Sequence, residues 1–219
     1  MRKFTTWIAA VTLAGTMLIP MPMFCDTSTR LTTQADGQVA AQLIQQTDAR
    51  MAEIPECINH LLAEEGWKIY VTDKDLSRTY FNGTYRSVAG VTRFREKKVE
   101  FESRSHAINY AYAHEIGHAF DAHFGNISYT DAWKAIYNEE KNTYHQHDAS
   151  GNCYEISSPV EFFASVFRDC LLSPQTCRQT APTAYAFVQT LINQTAENYS
   201  REVQAEQQTK LVAQQSKNS

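Results

Sequence analysis

The sequence predicts an α+β domain that is rich in helix and contains a small sheet. Several segments carry apolar residues at helical spacing, the clearest being 105–125 and 159–167. Residues 67–72 are instead rich in branched and aromatic side chains, and apolar and charged residues alternate over 98–102, as they do in strands. A length of 219 residues is enough for one ordinary core with appended segments.

The composition excludes some classes of partner. Charged residues make up 20% and hydrophobic residues 43% of the chain, which are the proportions of a soluble globular protein. The net charge is −4 and no basic patch occurs, so we expect no nucleic-acid partner. Internal repeats and glycine-rich phosphate-binding loops do not occur either.

Residues 1–25 have the pattern of a signal peptide. Arg2 and Lys3 precede an apolar run over 7–20, which is too short to favour a membrane span. We therefore expect a secreted protein with no stable membrane span in the mature chain. Such a protein could also associate with the cell surface. Two alternatives are lipid attachment at Cys25 and an uncleaved anchor.

The cysteine content agrees with export. Removal of the leader leaves four cysteines, an even number that permits disulfides outside the cytosol. Cys170 and Cys177 bracket a short Ser-Pro loop, so we favour that pair, which leaves Cys57 with Cys153. Four unpaired thiols are the alternative.

The N-terminal part of the mature chain shows little apolar patterning. Residues 26–48 are polar and rich in Gln and Thr, which predicts a loose segment whose latter half can be helical. The main domain is expected to span 49–198. Its first helix begins near Pro55, which suits a first turn, and ends near Gly66.

A β-rich region follows the first helix. Residues 67–72 read as a strand, and 73–83 as a loop that ends in the Asn82-Gly83 turn. Two further strand-like stretches lie within 85–101. A strand just ahead of the next helix can bind an extended peptide along its edge by main-chain pairing, although an ordinary hairpin has the same pattern.

The next helix carries an H-E-x-x-H motif. It should begin with Ser105 as its N-cap and end at Gly125. His114 and His118 are four residues apart and therefore share one helical face, where two imidazoles can bind one metal ion. Zinc accepts such ligands, and Glu115 would be the general base that takes a proton from a zinc-bound water.

Two segments separate this helix from the next informative motif. A helix is predicted over 129–142, with three side chains turned inward: Trp133, Ile136 and Tyr137. A polar loop follows over 143–152. Its His145 and His147 could bind a metal, but we favour a solvated loop.

The third metal ligand does not follow from the motif alone. The long H-E-x-x-H-x-x-G-x-x-H signature fails, because Phe124 stands at the third histidine position and His123 is out of register. Glu161 is the best downstream carboxylate, on a helix that begins at a proline. The pair Ser158 and Glu161 is also a capping box, so spacing leaves the two roles equal. Glu155 is the other nearby carboxylate.

The residues HEIGHAFDAHFG (114–125), the following Tyr154 and the EFFASVF helix resemble the catalytic domain of the anthrax lethal factor family. The family includes the small secreted Pro-Pro endopeptidases, and the resemblance covers about 55–196. It implies a zincin-like metallopeptidase fold with one Zn²⁺ per chain, bound by His114, His118 and Glu161. It also implies Glu115 as the base and Tyr154 as a hydroxyl directed at the developing oxyanion.

Two further residues lie where a side chain could support the metal ligands. Relatives often carry an acidic residue one turn after the ligand glutamate, where this chain has Ser165. Asp121 lies one turn after His118 and could accept a ring N–H, although a surface acid at the helix end has the same spacing.

The predicted function is therefore that of a secreted zinc-dependent endopeptidase, expected as a monomer, which binds a protein or peptide substrate along a sheet edge. The alternative is a catalytically silent, zinc-containing peptide-binding module on the same fold. A helix over 183–198 should pack on the core. Residues 199–219 are polar and predict a frayed or disordered tail.

Overall fold

A four-stranded sheet and eight α-helices make up the part of the chain that the computed structural model describes, residues 30–146 and 154–217. The predicted leader, His147 and Cys153 lie outside these ranges. The strands are β1 (Thr33–Asp36), β2 (Lys68–Thr72), β3 (Gly90–Arg93) and β4 (Lys98–Glu102). The helices are α1 (Ala41–Met51), α2 (Glu56–Glu64), α3 (Leu76–Phe81), α4 (Ser105–His123), α5 (Asp131–Gln146), α6 (Pro159–Leu172), α7 (Pro174–Thr180) and α8 (Pro182–Lys217).

The sheet has the order β1-β2-β4-β3. β1, β2 and β4 are parallel, and β3 is antiparallel to β4. Ile69 and Val71 lie opposite Val99 and Phe101 in the register, and all four are fully buried against the helical layer. The strand directly before the motif helix, β4, is therefore interior. The sequence predicted a peptide-binding sheet edge on this strand. The edge on this side of the sheet is instead β3, which pairs with β4 as a hairpin.

Helix α4 runs through the centre of the molecule. The sheet packs on one side of it and α6 on the other, and both of its middle turns are buried. Gly117 permits the close approach of α6, because a Cβ there would lie 3.0 Å from the Cα and the carbonyl oxygen of Ala164. The predicted Ser105 cap is wrong: Ser105 is the first helical residue, and Arg104 precedes it without a side-chain cap.

Two segments contain an element that the sequence did not predict. Within 26–48, β1 pairs with β2 and α1 begins at Ala41. β1 is stabilised by main-chain pairing at an edge of the sheet, so the expectation of a loose segment is wrong for β1, whereas α1 agrees with the helix expected in the latter half. The loop predicted over 73–83 contains α3, which Asp75 caps by accepting from Arg78 N at 3.0 Å. The division of the chain at 49–198 stays a prediction.

The helices around the predicted loop and tail are longer than expected. α5 extends to Gln146, into the segment predicted as a polar loop. α8 continues to Lys217, and most side chains of its last turns are exposed. Gln, Glu, Lys and Ala have high helix propensity, which explains a helix where apolar patterning ends. No helix in the described ranges is both long and apolar enough to cross a membrane.

The predicted disulfide between Cys170 and Cys177 is not formed in the structure. Both thiols are buried and free, as is Cys57, and Cys170 Sγ lies 3.9 Å from the carbonyl oxygen of Tyr185. The two residues lie on different helices that meet at the Ser-Pro turn, and their thiols are in hydrogen-bond contact, which together with burial raises the pKa of Cys170. Cys153, the predicted partner of Cys57, is outside the described residues.

Candidate active site

Two helices bring the three predicted metal ligands together. His114 Nε2 lies 3.0 Å and His118 Nε2 3.4 Å from Glu161 Oε2. The imidazoles are edge to face with centroids 4.8 Å apart. One ligand atom from each of the three residues lies within 4.8 Å of the others. The side chains are 10%, 9% and 18% exposed, so the cluster opens to solvent over a small area.

The position of the Glu161 side chain distinguishes between its two predicted roles, closing a capping box and binding a metal. Ser158 Oγ accepts a hydrogen bond from Glu161 N at 3.2 Å, which is half of a capping box. The Glu161 carboxylate does not complete the box, because it faces the imidazoles of α4. Pro159 at the start of α6 fixes the backbone entering this turn. Glu155, the competing carboxylate, pairs with Arg168 instead.

The cluster carries an excess of negative charge. Burial alone would raise the pKa of Glu161, but hydrogen bonds with both imidazoles outweigh it and hold that pKa far below its ordinary value. Burial disfavours protonated His118, yet hydrogen bonding to Glu161 and the carboxylates of Glu115 and Asp121 raise its pKa. The surroundings therefore favour a positive charge between these side chains.

The second nitrogens of the two imidazoles have different surroundings. Ser165 Oγ lies 3.2 Å from His114 Nδ1, so the serine occupies the supporting position that the sequence left in doubt. His118 Nδ1 is buried and has no hydrogen-bond partner among the described residues. Asp121 is 2% exposed, which excludes a surface acid, and its oxygens accept from Ser128 N at 2.9 Å and Ser128 Oγ at 2.5 Å. Burial raises the pKa of Asp121.

The carboxylate of Glu115 lies against β3. Thr92 Oγ1 is 2.7 Å from Glu115 Oε2 and 2.9 Å from the Glu115 carbonyl oxygen. Gly90, on the same face of the strand, leaves room for this side chain, because a Cβ there would lie 2.8 Å from Glu115 Cγ. Neither residue was identified from the sequence. The only signal was a Gly-x-Thr pattern in the strand that precedes the motif.

Tyr154 lies at the opening of the cluster, on a one-turn 3-10 helix, Tyr154–Ile156. Its ring centroid is 6.3 Å from that of His114, and 45% of the residue is exposed. Burial of the phenol, together with the charges of Glu161 and Glu115 and a hydrogen bond to Glu161, raises the pKa of Tyr154. The neighbouring carboxylates therefore disfavour the phenolate.

A cleft of about 1240 Å³ connects these residues. The cluster forms the floor of the cleft, which is lined by His114, Glu115, His118, Tyr154 and Glu161. One side is formed by β3 and its flanks, the other by the Tyr154 turn and the start of α6. Exposed aromatic rings lie along its rim: Tyr85, Phe94 and Tyr110.

The donor set fits a zinc ion. Two imidazole nitrogens and one carboxylate oxygen are the ligands of many catalytic zinc sites, which keep a further position for water. The negative charge of the surroundings agrees with a divalent cation, as does the Ser165 Oγ beside His114 Nδ1, which can accept the Nδ1–H of a ring that binds metal through Nε2. A buried ion of this kind would also separate the imidazoles from the shared carboxylate oxygen.

Comparison with known proteins places this chain in a family. Residues 80–191 match the family described as anthrax toxin lethal factor, N- and C-terminal domain. The chain belongs to this family. The matched residues contain β3, β4, α4 and the Glu161 helix, which are all the elements that form the cluster. The family relationship supports a peptidase function.

A solved structure confirms the predicted fold. The chain is similar to the Pro-Pro endopeptidase PPEP-2 from Paenibacillus alvei, with a TM-score of 0.55 and 22% sequence identity. The similarity covers 73% of this chain and 96% of that chain. The zincin-like class, helix-rich with a small sheet, is therefore confirmed. No curated protein gave a significant match.

Proposed function

We propose that the protein is a secreted, monomeric, zinc-dependent endopeptidase. The observation that carries this proposal is the convergence of His114, His118 and Glu161 on one point, with Glu115 and Tyr154 beside it in an open cleft. A cluster that only stabilised the core would need neither a carboxylate held to one side nor a hydroxyl at the opening.

The ligands proposed for the metal are His114, His118 and Glu161, with one Zn²⁺ per chain. Zinc bound there would lower the pKa of a coordinated water toward about 7 and polarise a substrate carbonyl. Ser165 holds the His114 ring by its Nδ1, which leaves Nε2 directed into the cluster. Metal ligands that are oriented in this way bind more tightly.

Glu115 is the proposed general base. Thr92 donates to Oε2, which leaves Oε1 to accept the proton of the attacking water. The same carboxyl group then returns this proton to the leaving amine. Its burial and its contact with β3 keep the carboxylate in one position through both transfers.

Tyr154 is the proposed hydrogen-bond donor to the oxyanion. A phenol carries its proton at neutral pH, and the raised pKa of Tyr154 disfavours its loss further, so the O–H can donate when negative charge develops on the carbonyl oxygen. A single donor of this kind commonly contributes about 2.7–4 kcal/mol to stabilisation of the transition state.

The proposed substrate is an extended peptide that pairs with β3. Within the described residues β3 pairs only with β4, so its other edge faces the cleft. Main-chain pairing at this edge would place the peptide backbone beside Glu115, which contacts the same strand through Thr92.

The test combines metal analysis with cleavage of a peptide library. Purified protein should contain one zinc per chain, and mass spectrometry should find new peptide termini. Chelation should abolish cleavage and zinc should restore it. Glu115→Gln is the matched control, because it keeps the shape of the side chain and should retain zinc without cleavage. Protein without stoichiometric zinc contradicts the proposal, and zinc without cleavage indicates the silent peptide-binding module.

A further inference from the structure

The 3-10 turn that carries Tyr154 is too short to set its own position. A single turn fixes few backbone angles for each hydrogen bond, so its position depends on contacts with its surroundings. Among the described residues, two contacts hold the turn beyond Tyr154, whose own hydroxyl hydrogen-bonds to Glu161. Tyr137 donates its hydroxyl to the carbonyl oxygen of Ile156 at 2.7 Å, and Glu155 Oε1 lies 2.5 Å from Arg168 Nη1.

Arg168, the partner of Glu155, lies on the same helix as the proposed ligand Glu161. The two residues are seven positions apart, or two turns, so they share one face of α6 about 10.5 Å apart along its axis. The face that directs Glu161 to the imidazoles therefore also directs Arg168 to the Tyr154 turn. Glu155, next to Tyr154 in the chain, is 7% exposed.

A second acid fixes the orientation of the guanidinium. Arg168 Nε donates to Asp169 Oδ1 at 2.7 Å, and Tyr144 donates its hydroxyl to Asp169 Oδ2 at 2.7 Å. Burial disfavours the charged guanidinium, but the hydrogen bond and charge of Asp169 and the charge of Glu155 raise the pKa of Arg168. Arg168 is therefore a charged side chain held between two carboxylates, and it is not a free cation in the cleft wall.

We propose that the Arg168–Glu155 ion pair positions the Tyr154 hydroxyl over the reacting carbonyl, an inference that rests on the proposed function. Both residues are positioning residues, since neither touches the cluster. Helix α6 then sets the metal ligand Glu161 and the oxyanion donor Tyr154 through one rigid element. A substrate role for Arg168 is disfavoured because Glu155 and Asp169 already balance its positive charge.

The variant that tests this proposal is Glu155→Ala. It leaves Arg168 paired with Asp169, so no uncompensated charge is buried and the protein should fold. The expected result is a fall in kcat of about tenfold or more, with KM changed less than about twofold and zinc content unchanged. Glu155→Gln keeps an acceptor for Arg168 and should recover part of the lost activity.

A double-mutant cycle with Tyr154→Phe distinguishes the proposal from a general structural effect. If Glu155 acts through the hydroxyl, Glu155→Ala should reduce kcat less than about twofold in the Tyr154→Phe background. Multiplicative losses would overturn the proposal, as would wild-type kcat in Glu155→Ala. A raised KM with unchanged kcat would make the pair a substrate contact, and loss of zinc would show that it acts through Glu161.

A readout that needs no hydrolysis separates this inference from the proposed function. In protein with labelled tyrosine, the ring signal of Tyr154 can be assigned from its loss in Tyr154→Phe. That signal should shift or broaden in Glu155→Ala and remain near its wild-type position in Glu155→Gln. An unchanged signal in Glu155→Ala overturns the positioning role. A wild-type protein that cleaves no peptide refutes the proposed function instead.

Discussion

The two walls of the cleft are built in different ways. On the sheet side, His114, Glu115 and His118 come from one helix whose middle turns are fully buried, and β3 holds Glu115 directly. On the helical side, Tyr154 and Glu161 come from separate elements, and Tyr154 is half-exposed. The first wall depends on local helical geometry, whereas the second depends on contacts between elements.

This difference predicts which wall tolerates substitution. The residues of α4 are held from both sides, by the sheet and by α6, so replacing one of them should remove its chemistry and leave its neighbours in place. The position of Tyr154 instead depends on an ion pair that α6 provides. Four substitutions test the comparison, beginning with the largest expected effect.

Glu161→Ala should remove both zinc and hydrolysis. The side chain contacts both imidazoles and supplies the only proposed ligand from the helical wall. Metal content by mass spectrometry and activity should fall together, and His118→Ala should do the same. Full zinc affinity in Glu161→Ala would return this residue to a capping role and would remove it from the ligand set.

Glu115→Ala should remove hydrolysis and keep zinc. A base is lost and no ligand, so kcat should fall by about 10²–10⁴-fold while metal content stays at the wild-type level. The measurement is kcat beside zinc stoichiometry in the same preparation. Loss of zinc in this variant would mean that Glu115 supports the metal. Substitutions in α4 would then not leave their neighbours in place, contrary to what the comparison of the two walls predicts.

Tyr154→Phe should lower kcat by about a hundredfold or more with KM nearly unchanged. The ring is retained, so packing against His114 and zinc affinity should hardly change. The ground-state carbonyl carries little charge for the hydroxyl to contact, which is why substrate binding should be preserved. Activity equal to that of wild type would show that the hydroxyl takes no part in the reaction.

Thr92→Val should give the smallest effect, a loss of roughly tenfold in kcat. Valine has the shape of threonine but cannot donate to Glu115, and a hydrogen bond to a charged group contributes about 1.5–3 kcal/mol. Thr92→Ser is the matched control and should retain most of the activity. Equal losses in both variants would assign the effect to strand packing.

The chemistry of the sheet wall was predictable because it is local. A spacing of four residues defines one helical face, so the motif alone placed His114 and His118 together. Glu161 was ambiguous in sequence, because a capping carboxylate and a ligand carboxylate occupy the same helical position. Only the approach of α6 to α4, which Gly117 permits, separates the two.

Other elements escaped prediction for a similar reason. β1 is held by main-chain pairing at an edge and has no apolar alternation that could reveal it. Helix α3 is short, and its signal is an Asp75 cap before one buried leucine. Thr92 and Arg168 act on residues 23 and 13 positions away, so their partners depend on the assembled fold.

The length of β3 has a consequence for selectivity. The strand contains four residues, which at about 3.3 Å each span roughly 13 Å. A peptide that pairs along it would be read over about four positions, so the information that defines a cleavage site would reside in a very short stretch. A target protein would then need only a brief, accessible, extended segment, such as a linker between domains, and no folded surface of its own.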